Sequence, residues 1–295
     1  MKTLVTGHRG YIGTHLTKEL VLRGHDVAGL DLESCDINSH RIPGHDMCDD
    51  IPIEFFEFKP NVVFHLAAIP KVEYSVEKPV EVMRNNIIST SKILKFAKKL
   101  KIPVIYSSSS SVVGNGLGPD SPYALSKYVG EMETLLYHRL YNIKTVALRY
   151  FNVYSSDQVA NSAYATVVPN WKKYIKEGKV PFITGTGEQR RDMTHVKDIV
   201  SANIFCAENI DKENLWGDWY DIGSGENISL NEMKNIVLRY FPNQEFQYVS
   251  PRPGDVLSSQ ANLSKFKSMG WKSKIRLAEG LDKLFQEFAN GFNFS

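Results

Sequence analysis

Cysteine is scarce and unpatterned: Cys35, Cys48 and Cys206 are scattered through 295 residues, with no CxxC pair and no Cys/His cluster. No metal site is expected from such spacing, and a reduced, cytoplasmic protein is the simplest reading. Long apolar runs are missing too. No segment reaches the roughly 18 to 20 apolar residues that cross a bilayer, and the opening KTLVTG reads as a strand, not as a cleaved signal peptide. No charge sign dominates, since 35 Lys and Arg face 33 Asp and Glu, a formal net charge of +2. That balance argues against nucleic acid or a membrane as the main partner, whereas a small anionic ligand needs only a few placed cations. No G-x-S-x-G elbow occurs, which disfavours a Ser/His/Asp hydrolase. Repeats, low-complexity tracts and flexible linkers are also absent.

What remains is an ordinary globular composition, 42% apolar and 23% charged, with a strong internal rhythm. Strands are expected at KTLVT, HDVAGLD, NVVFHLAA, IPVIYSS and KTVALRYF, with helices between them at 11–23, 79–100 and 122–141. VVFHLAA and PVIYSS are nearly continuously apolar, as strands buried on both faces should be. The alternation predicts an α/β fold, a Rossmann-type doubly wound parallel sheet, with ligands at the carboxyl ends of its strands. After about residue 155 the rhythm changes. A helix is expected in SAYATVVPNWKKYIKEG, another after a capping box from Ser229 to Glu232, and two short ones in LSKFKSMGWK and LAEGLDKLFQEF. The expected division is a cofactor-binding domain over 1–155, with a return segment about 190–222. A smaller α+β substrate-binding part takes about 156–189 and 223–295.

TGHRGYIG places Gly7, Gly10 and Gly13 directly after the first strand. Glycines there allow a tight turn and let backbone N–H groups approach a pyrophosphate at a helix N-terminus. The second strand ends in Asp31, at the distance where a carboxylate holds both ribose hydroxyls and repels a 2′-phosphate, favouring NAD over NADP. Arg9 inside the loop complicates that preference, because a guanidinium can pair with a 2′-phosphate. A glycine turn beside a surface aspartate is the bland alternative.

SSSSSVVGNGLGPDSPYALSK, residues 107–127, follows an apolar strand with a serine run. Ser121 and Pro122 fit a helix N-cap and first position, which puts Tyr123 and Lys127 one turn apart on one face. A phenol titrates near pH 10, so work as a base near pH 7 asks for a shift of about 3 units, about 4 kcal/mol. One ammonium at about 4 Å supplies on the order of 4 kcal/mol at an effective dielectric of about 20, and the helix N-terminus about 0.3–1 more. Ser109, at the strand's end, can reach the same substrate oxygen. On the spacing alone, an amphipathic helix with an incidental Tyr and Lys remains open.

These motifs together resemble the extended short-chain dehydrogenase/reductase family, above all its NAD-dependent nucleotide-sugar 4-epimerases, nearly end to end. TGHRGYIG is similar to the family's glycine loop, FHLAA to its cofactor-contacting strand, and SSSSSVVG with PYALSK to its catalytic Ser and Tyr-x-x-x-Lys. LRYFNVY, GEQRRDMTHVKDI and PRPGDV resemble its nicotinamide-side segment and two arginine motifs. The resemblance implies NAD as cofactor, with contacts from Gly7, Gly10, Tyr11, Ile12, Gly13, Asp31, Asp46, Met47, Leu66, Ala67, Ala68, Asn85, Tyr123, Lys127 and Phe151. It implies Ser109, Tyr123 and Lys127 as the catalytic set. Ser109, Tyr123, Asn152, Val168, Arg191, Arg252, Asp255 and Ser259 are implied on the substrate side, with both arginines clamping a nucleotide diphosphate. His65 and His195 fall at positions that are mostly structural in the family. A homodimer through helices 79–100 and 122–141 is the family's expectation.

The likeness has departures. The loop between Ser109 and Tyr123 is short, VVG stands where VYG is common, and Ser155 replaces a glycine; these bear on the shape of the sugar pocket. Resembling dehydratases carry an Asp-Glu pair after the catalytic hydroxyl residue, where this chain has Ser110 and Ser111. Reductases similar to GDP-fucose synthase share the GHRG loop but use a cysteine near the substrate, and none lies in this serine strand. The resemblance therefore implies 4-epimerisation of a UDP-sugar through a transient 4-keto form. Ser259 implies room for an N-acetyl group, so that UDP-GlcNAc/GalNAc accompanies UDP-glucose/galactose. An NAD(P)H-dependent nucleotide-sugar reductase is the second reading, and a catalytically silent NAD-binding sensor the third.

Overall fold

The computed structural model describes residues 1–37, 40–114, 116–158, 166–251 and 257–292. Arg252 and Asp255 lie outside the described residues. In chain order, β1 (Lys2–Thr6), α1 (Tyr11–Leu22) and β2 (Asp26–Leu30) lead to a hairpin of β3 (Ser34–Ile37) and β4 (His40–Pro43). Then follow α2 (Ile53–Phe58), β5 (Val62–His65), α3 (Val72–Glu77), α4 (Pro79–Leu100), β6 (Val104–Ser109), α5 (Pro122–Tyr141) and β7 (Thr145–Tyr150). The second half runs through β8 (Val153–Tyr154), α6 (Val167–Lys176), β9 (Phe182–Thr184), β10 (Arg190–Asp192), β11 (Thr194–His195) and α7 (Val196–Glu208). It closes with β12 (Asp218–Ile222), β13 (Asn227–Ser229), α8 (Leu230–Tyr240), β14 (Gln247–Val249), β15 (Ser258–Ser259), α9 (Ser264–Ser268) and α10 (Leu277–Phe292).

Eight strands form one sheet in the order β12-β7-β6-β5-β1-β2-β3-β4. All pairs are parallel except the two made by β3, with β2 and with β4. The chain goes from β1 outward to β2, then returns to lay β5 on β1's other side. That reversal opens a crevice beyond the carboxyl ends of β1 and β5, the place where such sheets bind ligands.

Helices cover both faces. Leu16 and Leu20 of α1 and Ile199 of α7 pack with Val5, Phe64 and Leu148 on one face. On the other, Phe55 of α2 and Ile93, Phe96 and Ala97 of α4 pack with Leu4, Val63 and Val104. A separate core joins Val168 and Trp171 of α6, Met233 and Val237 of α8, and Leu281 and Phe285 of α10. The helix ends are set locally. Ser121 accepts the Ala124 N–H at 3.1 Å with Pro122 behind it, and α5 stops at Asn142 in the left-handed region. The capping box of α8 is complete, with Ser229 and Glu232 exchanging hydrogen bonds of 3.1 and 2.8 Å.

Asp192 ties the two halves together. Fully buried at the end of β10, its carboxylate accepts from Ser224 N and Oγ at 2.8 Å each and from Gly225 N and Ala261 N at 3.0 Å each. This fixes the three-stranded sheet β13-β10-β15, in which Arg191 stands opposite Ser259. Removing a buried acceptor leaves its donors unsatisfied, at about 1–3 kcal/mol each before relaxation. Asp192→Ala should therefore lower unfolding free energy by about 3 kcal/mol or more in urea titrations, and a loss under about 1 kcal/mol would contradict this account.

Candidate active site

The glycine loop crosses the crevice between β1 and β5. Gly7 has φ +70°, and a Cβ there would stand 2.8 Å from Ala67 N and 3.1 Å from Leu66 C. A Cβ on Gly13 would stand 2.0 Å from Gly7 O, so only glycine lets α1 begin this close to β1. Gly10 caps α1 and offers no side chain to its first N–H groups, nor does the first turn carry a carboxylate. An uncapped helix N-terminus reached by a glycine turn suits a pyrophosphate. Tyr11 and Ile12 open the helix; Ile12 packs against the core, and the Tyr11 phenol meets Ser155 Oγ at 2.5 Å. Burial pushes the Tyr11 phenol far above its ordinary range.

Asp31 stands at the carboxyl end of β2, where its Oδ2 accepts the Arg9 N–H at 3.0 Å and its carbonyl accepts from His45 N at 2.9 Å. The next residue, Asp46, caps its own turn by accepting from Cys48 N at 2.9 Å, and Met47 leans on the core under β1. Across the crevice Leu66, Ala67 and Ala68 follow β5, with Ala67 N–H donating to Thr6 Oγ1 at 3.3 Å. The carbonyl of Asn85 on α4 lies 4.0 Å from Cys48 Sγ. Sequence reasoning missed the adjacent Asn86, which holds the Ile69 backbone at 2.8 and 3.3 Å and donates to Ser126 at 2.9 Å. Its signal was a second asparagine in a helix otherwise patterned for burial.

Ser109 ends β6 and sits in register with Tyr150, one residue before Phe151 and two before Asn152. Its hydroxyl accepts from Ser111 N and Oγ, at 3.2 and 2.9 Å, and its nearness favours the ionised form of the Tyr123 phenol. Ser75 of α3 accepts the Tyr123 N–H at 3.1 Å, holding the first turn of α5 in place. Lys127, 4% exposed, donates to Ser107 O at 2.7 Å and lies 5.0 Å from the Tyr106 ring. Burial raises the Tyr123 phenol above its ordinary value, with Ser109 pulling it partly back. The same burial lowers Lys127 from 10.5 to about 7. The expectation that the ammonium, helped by the helix N-terminus, brings the phenol down is thus corrected: desolvation acts on both groups and favours their neutral forms. His65 is framed by Thr6 at 2.7 Å and Thr90 at 3.0 Å, and burial followed by the Lys127 charge lowers it to about 3. His195 caps α7, a packing role, and is lowered to about 4, mainly by burial.

Beyond β7 lies a cavity of about 240 Å³ whose lining includes Asn152, Val167, Asn170, Phe182, Gln189 and Arg191. Asn152 takes φ +25°, and its Nδ2 donates to Asp192 O at 2.6 Å. Arg190 is spent on Asn227 and Glu232, at 2.8 Å each, so the alternation along β10 turns Arg191 to the cavity. Val168 is fully buried in the second core, and its neighbour Val167 takes the lining position. Ser259 Oγ is buried with no hydrogen-bond partner among the described residues. Phe151 packs in the main core and donates its N–H to Ile222 O at 3.0 Å. Among the described residues no group of three or more His, Cys, Asp or Glu could hold a metal.

The sign of the Lys127 shift yields a prediction. The unfolded chain keeps the ordinary value of 10.5 while the folded chain holds about 7, so the unfolded state binds more protons between them. The burial penalty is therefore full below about pH 7 and fades as pH rises toward the unfolded value. Lys127→Met should stabilise the nucleotide-free chain most near about pH 6, with the gain shrinking steadily toward about pH 10 in denaturant titrations. A gain that stays level or grows with pH would contradict the assigned cause.

The groove and cavity can be set beside known proteins. The model of the NAD dependent epimerase/dehydratase family matches residues 3–223. A UDP-glucose 4-epimerase of Mycolicibacterium smegmatis is 30% identical over 98% of this chain and 99% of its own length. The structure of UDP-N-acetylglucosamine 4-epimerase from Methanobrevibacter ruminantium, in complex with UDP-N-acetylmuramic acid, covers 98% of both chains at 31% identity with TM-score 0.86. That of the Thermus thermophilus UDP-glucose 4-epimerase, in complex with NAD, covers 98% of this chain and 99% of its own at 28% identity with TM-score 0.84. A matching model over three-quarters of the chain, on a switch-point groove with the expected glycine loop, decides the matter: this chain belongs to the NAD dependent epimerase/dehydratase family.

Proposed function

We propose that the chain is an NAD-dependent 4-epimerase of UDP-sugars, an isomerase that leaves its cofactor unchanged over the cycle. The observation that carries this is the set formed by the half-buried Ser109 and the buried Tyr123 and Lys127, with the glycine-loop groove and a cavity presenting Arg191 as its neighbours. Bound NAD supplies a hydride acceptor at C4 that later gives the hydride back. The chain's own residues handle the proton. Tyr123, as phenolate, takes the proton of the sugar 4-hydroxyl and returns it, while Ser109 holds the oxygen concerned. Lys127 lowers the cost of phenolate and binds the nicotinamide ribose. Arg191 with Arg252 grips the diphosphate, and Asp255 the nucleotide ribose, which keeps the keto sugar from leaving. The turn Ser110–Val112 carries hydroxyls and no carboxylate, so it lacks the acid and base for loss of water.

The reductase reading is weakened by the thiols. Cys35, Cys48 and Cys206 are free and buried in or against the cores, away from the Ser109 strand end. Free cysteines also suit a reducing cytoplasm. No helix among the described residues is long and apolar enough to cross a membrane. We assign the cofactor part to residues 1–155 with the return segment about 190–222, and the substrate part to about 156–189 and 223–295. A homodimer through α4 and α5 accounts for the exposed Val80, Ile88, Leu125, Tyr128, Leu136 and Leu140 along those helices.

Incubation with UDP-glucose and, separately, UDP-N-acetylglucosamine should give the C4 epimer of each with no net change in NADH absorbance. The small Ser259 is the reason both are expected. Steady NADH consumption would favour the reductase, and turnover of UDP-glucuronate alone would overturn the neutral-sugar assignment. Tyr123→Phe should lower turnover by roughly 10²–10⁴-fold with NAD still bound, and near-wild-type turnover would sink the assignment of the base. Replacing Leu136 and Leu140 by Glu should convert a dimer into monomers in light scattering. A wild-type monomer would remove the dimer from the account.

A further inference from the structure

The mechanism leaves Arg9, His8 and Asp36 unused, yet they form a built arrangement beside the groove. Arg9 lies inside the glycine loop, with its N–H on Asp31 Oδ2 at 3.0 Å. Its guanidinium donates to Asp36 Oδ2 at 2.6 Å. The same oxygen meets His8 Nε2 at 2.8 Å. His8 is 5% exposed and is packed over Gly29, where a Cβ would stand 2.4 Å from its ring. Gly29 is also the register partner of Asp36. Asp36 is therefore anchored from below by a buried imidazole and holds the guanidinium from the side.

We propose that Asp36 is a cofactor-specificity residue: by sequestering Arg9 and adding a second carboxylate beside Asp31, it makes the groove reject a 2′-phosphate and keep NAD. The pairing gives the reason. Arg9's guanidinium donates to Asp36 while its backbone N–H is held by Asp31, and the exposed Arg41 stands opposite Asp36 across the β3–β4 pair, so among the described residues the loop's own cation is already paired. A 2′-phosphate brings about two negative charges and is recognised best by the planar fork of an arginine. Arg9 is the one arginine of the loop, and that fork is committed to Asp36. The Arg9 and Asp36 side chains are 37% and 30% exposed, so the guanidinium has room to turn once released. The inference rests on the groove being a dinucleotide site, and its test separates the two ideas.

Affinities for NAD and NADP are measured by calorimetry on nucleotide-freed wild type, Asp36→Asn, and Asp36→Asn combined with Arg9→Met. Asparagine keeps a hydrogen-bond acceptor for His8, and thermal unfolding checks that the variants are folded. Asp36→Asn should tighten NADP by about ten- to a hundredfold, the range for one hydrogen bond to a charged group, with NAD changed by less than about threefold. Adding Arg9→Met should cancel that gain. An unchanged NADP-to-NAD ratio in Asp36→Asn overturns the proposal, and so does a gain that survives Arg9→Met. A wild type that binds neither nucleotide would instead refute the groove itself.

Discussion

The bidentate pair between Glu131 and Arg149 determines what Lys127 faces. Helix α5 presents Tyr123, Lys127 and Glu131 at four-residue intervals, all buried, so one turn of helix separates the ammonium from a phenol on one side and from a carboxylate on the other. Arg149 reaches across from β7 and claims Glu131 at 2.5 and 2.9 Å, and Ser108 donates to the same carboxylate at 2.6 Å. Arg149 is itself held flat, 3.5 Å over the Trp219 ring of β12. With Glu131 satisfied, Lys127 is left with neutral partners, the Ser107 carbonyl and hydroxyl and the Tyr106 ring, and desolvation is the cause that moves it. Buried ion pairs are weak sources of stability. This one instead keeps a counter-charge away from a lysine, so that its protonation stays adjustable near neutral pH.

The same economy shapes the far side of the site. The cavity draws on the loop after β7, the first turns of α6, and β9 and β10, segments far apart in the chain. Asp192 gathers them by accepting from residues 32 to 69 positions away and by lending its carbonyl to Asn152. A second link runs from the cofactor side. Tyr11 bonds Ser155, Ser155 bonds Asp157, and Asp157 pairs with His15 of α1 at 3.1 Å. The departure at Ser155, where the resembling family has glycine, thus supplies a hydroxyl that binds the start of α1 to the chain entering the substrate side.

Elements fixed by local chemistry were legible in the sequence. The bounds of α4 and α5 fall at 79–100 and 122–141 because Pro79 and Ser121-Pro122 start them and left-handed Lys101 and Asn142 stop them. The buried strands announced themselves through continuous apolar runs, and the Ser229 box through its spacing. The hairpin β3–β4 was not legible, since SCDI and HRIP lack alternation and gain their pairing only from the edge of β2. Nor was Asp192, which in RRD looks like one more surface charge. The direction of the Tyr123 shift was misjudged for a physical reason: spacing places an ammonium nearby, but only packing reveals how much water both groups lose.

Epimerisation makes a demand that simple oxidation does not, because the ring must present both faces to one nicotinamide between hydride loss and hydride return. A pocket that gripped the sugar with charged side chains would stabilise one face and trap the keto form. At this strand end Ser109, Ser111 and Tyr123 present hydroxyls, with Ser111 donating to Ser109 at 2.9 Å. Arg191 is the charged side chain in the cavity lining, on a strand pinned by Asp192. A ligand anchored at its phosphates and met by hydroxyls at its reactive end can turn about the bonds between them without leaving. That division of labour, rigid at one end and permissive at the other, is why the reading favours an isomerase over an enzyme that reduces its sugar once and releases it.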